Sequence, residues 1–162
     1  MADENTGKIE SQWNEIDQLL NDYDERLCLK HITHSPEVEK ILTISYVELK
    51  ALSAERCGEC AVLLAQYGIF VQKEINRQTA KMKWAEKGIH IMAAKYGKNY
   101  SQYMKFEEKQ ATIISDNSAA FKLHKLKQIS QAIVDELSYI TSRINTMGQS
   151  FIELQNTKRR TQ

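Results

Sequence analysis

The chain has 162 residues, 42% apolar and 27% charged, and a formal net charge of +1. That composition excludes a disordered polar chain, and six glycines with one proline are too few for an all-β protein that turns every ten residues or so. No apolar run is long enough for a membrane span, residues 1–12 lack the apolar core of a signal peptide, and three cysteines are an odd number, so a soluble protein of a reducing cytoplasm is expected.

Charge is unevenly placed along the chain. Residues 1–60 hold 6 basic and 13 acidic side chains, a sum of −7, whereas residues 61–162 hold 16 and 8, a sum of +8. Such a dipole suits head-to-tail association of copies or an anionic partner on the basic side; it also suits a plain solvated surface.

Residues 8–29 predict the first helix. Ile9, Trp13, Ile16, Leu20, Tyr23 and Leu27 recur at spacings of 4, 3, 4, 3 and 4, one stripe of an amphipathic helix, with Glu10, Asn14, Asp17 and Asp24 placed on the opposite face. Residues 30–36 read as a linker ending in the only proline, a residue suited to the first turn of a new helix, and residues 37–44 are ambiguous. Ser45 and Glu48 have capping-box spacing before a short helix to about Leu52, and Ser53 is a second candidate cap. From there a stripe runs through Cys57, Cys60, Leu64, Tyr67, Val71, Ile75, Gln78, Met82, Ala85, Ile89, Met92 and Tyr96. Gly58, Gly68 and Gly88 lie inside it, where another helix is expected to come close.

The turn is expected near residues 96–101, with Gly97 left-handed at the helix end and Ser101 capping the next helix. That helix is predicted to run to about Thr157, with a kink near residues 115–118. Its later half carries the most regular pattern in the chain. Leu123, Leu126, Ser130, Ile133, Leu137, Ile140, Ile144, Met147, Phe151 and Leu154 alternate 3 and 4 without a fault, heptad a/d positions with one polar member. The expected fold is therefore all-α: a long antiparallel, coiled-coil-like helical hairpin over residues 37–162, preceded by an acidic helix and linker over residues 1–36. Leu63, Ile69, Phe70, Trp84, Ile91, Ile113 and Ile114 fall off the seam. These outliers predict a homo-oligomer, with Leu123, Leu126, Ile133, Leu137, Ile140, Ile144, Met147, Phe151 and Leu154 as its seam.

Little in the chain carries reaction chemistry. Cys57 and Cys60 have the spacing of a dithiol or half a zinc site, and with Cys28, His31 and His34 a zinc set can be drawn. In a helix that spacing puts both thiols on one packed face, so packing is the expected role. His90 and His124 have no triad partner at a telling spacing, and no Walker or dinucleotide motif occurs. No enzyme activity, metal or cofactor is expected. The basic features say more. Lys81, Lys83, Lys87, Lys95, Lys98, Lys105 and Lys109 surround the turn, interleaved with Trp84, Tyr96, Tyr100, Tyr103 and Phe106. Cations that neutralise phosphates beside aromatics that stack on unpaired bases make a sequence-tolerant single-strand surface. The other reading of the same residues is aromatics packing the tip and lysines solubilising it. Lys122, His124, Lys125 and Lys127 form a second basic cluster, and Lys158, Arg159 and Arg160 a third.

Residues 52–57 (Leu-Ser-Ala-Glu-Arg-Cys), 61–67 (Ala-Val-Leu-Leu-Ala-Gln-Tyr), 72–76 (Gln-Lys-Glu-Ile-Asn) and 84–86 (Trp-Ala-Glu), with the ending from Leu137-Ser-Tyr-Ile140 to Leu154-Gln-Asn-Thr-Lys-Arg-Arg160, resemble small phage proteins of the UvsY-type recombination-mediator family. The resemblance covers about residues 45–160. It implies a non-enzymatic homo-oligomer that binds single-stranded DNA and helps a RecA-like recombinase replace the single-strand-binding protein, in the host cytoplasm and away from membranes. The rival expectation is a structural assembly protein, a virion or scaffold component that uses the same seam without nucleic acid.

Overall fold

A computed structural model describes residues 2–26 and 36–161, without the side chains of residues 2–6 and 23. Among the described residues every regular element is helical: α1 Ala2–Arg26, α2 Pro36–Leu42, α3 Tyr46–Ala51, α4 Ala54–Tyr96, α5 Phe106–Asp116 and α6 Ser118–Arg160, with a 3-10 turn at Gly97–Asn99. The all-α expectation holds. The expected linker before Pro36, with Cys28, His31 and His34, lies outside the described residues.

The helix starts follow the local chemistry. Pro36 opens α2, where its missing N–H costs nothing. The Ser45 N–H donates to the Glu48 carboxylate at 2.9 Å, and the Glu48 N–H donates to Ser45 Oγ at 3.3 Å, closing the capping box of α3. The Ser45 hydroxyl also donates to that carboxylate, at 2.6 Å, and this bond first, then the Ser45 N–H, holds the Glu48 carboxyl below its ordinary pKa. The Arg56 N–H donates to Ser53 Oγ at 3.1 Å at the start of α4. Two expectations fail further on. Gly97 continues into a 3-10 turn rather than a left-handed cap, and Lys105 rather than Ser101 precedes α5, its N–H donating to Glu108 at 3.3 Å. The kink expected near residues 115–118 is a full break. Asn117 is extended, and its Oδ1 accepts from the N–H groups of Ala119 and Ala120 at 3.0 and 3.1 Å, starting a new helix.

The chain divides into two compact units, residues 1–27 with 76–135 and residues 28–75 with 136–162. In the first, Ile9 of α1 meets Ala85 and Ile89 of α4 and Ala119 and Leu123 of α6, ringed by Trp13, Trp84, Met92, Ile114 and Leu126. Ala93, Ile113 and Ala120 make a second small core. Ile113, expected off the seam, is thus fully buried, because the break at Asn117 lets α5 pack by itself. Gly88 has a packing reason: a methyl there would lie 2.9 Å from Leu123 Cδ1. The polar members of the two stripes meet each other. Ser130 is buried, and its hydroxyl donates to Gln78 Oε1 at 3.3 Å, a pairing that marks the register of α4 against α6.

The acidic side chains of α1 correct the sequence reading. Glu10, Asp17 and Asp24, seven residues apart, do not point away from the core. They pair with Lys122, Lys81 and Arg77 respectively, with Lys81 Nζ 2.5 Å from Asp17 and Arg77 3.2 Å from Asp24. Arg77 also donates to Asn21 at 2.5 Å. The outward face carries Ser11, Glu15, Gln18 and Asp22 instead, all exposed.

The second unit buries Val38 and Ile41 of α2, Cys57, Cys60, Leu64, Val71 and Ile75 of α4, and Ile144 and Phe151 of α6. Positions 58 and 68 of α4 face Gln155 and Ile144 of α6. Lys158 Nζ donates to the carbonyls of Lys50 and Leu52 at 2.7 and 2.6 Å, satisfying acceptors left open at the end of α3.

Candidate nucleic-acid interface

The residues expected to contact nucleic acid lie on the last turns of α4, the 3-10 turn, the segment before α5, and α5 itself. Lys83, Lys87, Lys95, Lys98 and Lys105 are exposed. Helical spacing sets Lys83 and Lys87 on one side of α4, and Lys95 lies 5.4 Å from the Tyr96 ring centroid. Lys109 is half-buried, its stem lying against Gly97.

Three expected contacts are placed differently. Lys81 is only 8% exposed, held between the Asp17 carboxylate and the Trp13 ring, whose centroid is 5.0 Å away. Its charge is already neutralised, so it is withdrawn from the phosphate-binding set. Tyr100 is half-buried against the Ala93–Ile113–Ala120 core, and its hydroxyl donates to Asp116 at 3.4 Å. Burial, with the nearby Asp116 charge, pushes its phenol above the ordinary range. Trp84 is likewise engaged, tilted on Trp13 at 5.6 Å. What remains for stacking is Tyr103, 88% exposed, and Phe106, exposed and edge-on to His90 at 5.6 Å.

The other basic clusters are partly committed within the chain. Lys127 pairs with Glu86 at 2.6 Å, holding that carboxyl below its ordinary pKa, and Lys122 pairs with Glu10. Lys125, Arg159 and Arg160 are exposed. Within the expected oligomer seam, Leu123, Ile144 and Phe151 are buried by the chain itself, while Leu126, Ile133, Leu137, Ile140, Met147 and Leu154 are half-buried.

Sequence reasoning missed one cation of this region, Lys8. It lines, with Lys87 and Lys95, a cleft of about 500 Å³ between α1, α4 and the start of α6, floored by Ile9, Gly88, Met92 and Leu123. Lys8 carries no spacing signal; only the docking of α1 places it there.

Among the described residues no three of His, Cys, Asp and Glu are grouped as metal ligands are, and no helix is long and apolar enough to cross a membrane. Cys57 and Cys60 are free and buried, and burial pushes the Cys60 thiol up, away from the reactive thiolate. In a Cys28→Ser background both thiols should resist a thiol reagent until denaturant is added. Fast modification of the native protein would show an open dithiol instead. No protein-family model, curated protein or solved structure matches the chain.

Proposed function

We propose that the protein binds single-stranded nucleic acid without catalysis, as a homo-oligomeric recombination mediator that helps a RecA-like recombinase displace a single-strand-binding protein in the cytoplasm. The observation that carries the reading is the set of exposed lysines 83, 87, 95, 98 and 105 beside the exposed Tyr103 and Phe106. A helical hairpin of α4 and α6 belongs to the same reading, and it is supported within each unit by α6 partner numbers that fall as the α4 number rises, from Gly58–Gln155 to Gly68–Ile144 and from Gln78–Ser130 to Gly88–Leu123. Exposed Val62, Ile69, Ile91, Ile129 and Ile152 support association with further copies.

Anisotropy of a labelled oligonucleotide over a salt series tests this. Affinity should fall steeply with salt, each phosphate contact adding about −0.7 to the log–log slope. Lys98→Ala and Lys105→Ala should each flatten the slope and weaken all sequences alike. Tyr103→Ala should cost about 1–3 kcal/mol of binding with little change in slope. Tyr100→Ala should instead lower thermal stability and leave binding nearly intact. A wild-type protein that does not bind at low salt would leave the scaffold reading, which the internal pairing of Lys81, Lys122 and Lys127 with carboxylates of the same chain favours.

A further inference from the structure

The first unit carries two surfaces that are unlike in charge and alike in layout. On α4, Ile91 is 58% exposed, with Lys87 and Lys95 one turn to either side and Lys8 of α1 across the same cleft. Among the described residues no carboxylate lines that cleft and none of its three lysines makes an ion pair. On the outward side of α1, Leu19 is 67% exposed, with Glu15 and Asp22 one turn to either side and both exposed. These carboxylates are also free of ion pairs among the described residues, unlike Glu10, Asp17 and Asp24. An apolar side chain flanked by two cations thus faces outward from one helix, and an apolar side chain flanked by two anions from another. They cannot meet within one chain, because α1 turns its Ile9 face to the core and its Glu15 face to solvent.

We infer that the occupant of the cleft is a second copy of this chain, which docks the Glu15–Leu19–Asp22 face of its α1 onto Lys87–Ile91–Lys95 and Lys8. Leu19 and Ile91 leave water together, and the paired charges fix orientation and exclude the like-charged arrangements. The contact joins two different surfaces, so it is heterologous. However many copies join, one cleft and one α1 face stay open at the two ends, so the series closes into a ring or grows as a filament. This rests on the homo-oligomer proposed above and names its interface. It also divides the basic face: Lys87 and Lys95 go to the neighbour, and Lys83, Lys98 and Lys105 stay open to a strand.

Light scattering of the full-length protein at low salt over a micromolar concentration series tests it, with circular dichroism to check that each variant keeps its helix content. The substituted positions are exposed, so the variants should fold. Wild type should assemble. Glu15→Lys with Asp22→Lys should be monomeric, and so should Lys87→Glu with Lys95→Glu. An equimolar mixture of the two variants should assemble again, because the basic cleft of the first accepts the acidic α1 of the second and the reverse contact is charge-swapped. Leu19→Ser should weaken assembly without lowering thermal stability. A monomeric wild type would overturn both this interface and the oligomer in the proposed function. Assembly that survives both reversals, or a mixture that stays monomeric, would overturn this interface alone.

Discussion

Replacing Phe151 with alanine should cost the fold about 3–5 kcal/mol, the range for emptying a buried aromatic site. Phe151 is 2% exposed in the second unit, at the heptad position that turns α6 toward its neighbours. Its chain neighbour Ile152 is 40% exposed, and Ile152→Ala should change stability by no more than about 0.5 kcal/mol. The contrast isolates heptad phase from hydrophobicity, since both side chains are large and apolar and only one is buried. Urea denaturation followed by circular dichroism measures the difference. Both tryptophans, Trp13 and Trp84, belong to the other unit, so tryptophan fluorescence shows whether the loss is confined to the second unit. Equal costs at positions 151 and 152 would mean that α6 does not sit in this register.

What local chemistry dictates was legible from the residues alone. Ser45 with Glu48, and Ser53, act within a turn of themselves, so spacing suffices to place two helix starts, whereas Pro36 only permits the start of α2 and leaves residues 37–44 ambiguous in the sequence. The α4 stripe was legible because burial repeats at the helix period, from Cys57 through Leu64 and Val71 to Ile89. What failed depends on residues far apart in sequence or on a choice between caps. Asn117 reads as part of a kink in the sequence, whereas its side chain satisfies two open N–H groups and so stops one helix and starts the next. Lys81 looked like any other lysine of the tip, because Asp17, which buries its charge, lies 64 residues away. Tyr100 and Tyr103 are indistinguishable by composition, yet one packs beneath α5 and the other faces solvent. The seven-residue spacing of Glu10, Asp17 and Asp24 was present to be seen. Spacing alone does not reveal its role, because an acidic residue on an amphipathic helix faces solvent unless a cation distant in sequence claims it.

That ladder of ion pairs leads to the second large effect. Asp17→Asn should destabilise the protein by about 2 kcal/mol, because it leaves the nearly buried Lys81 ammonium without its counter-charge. The estimate lies below the range for fully buried pairs, since the Asp17 side chain is 34% exposed and water reaches it. Lys81→Met should cost less than about 1 kcal/mol. It keeps an apolar stem over Trp13, removes the charge that needed a partner, and leaves Asp17 able to turn to solvent. The two variants delete the same ion pair, so a stabilising contact would make them equal, whereas the cost of an unpaired buried charge makes them unequal. Urea denaturation monitored by tryptophan fluorescence reads both at the right place, because Trp13 and Trp84 stand 5.6 Å apart across the α1–α4 contact. Salt should narrow the gap between the variants only slightly, because the Lys81 side chain, only 10% exposed, is poorly screened. If Lys81→Met proves as damaging as Asp17→Asn, the pair itself holds α1 in place, and the heptad of carboxylates is a source of stability rather than a means of fixing register.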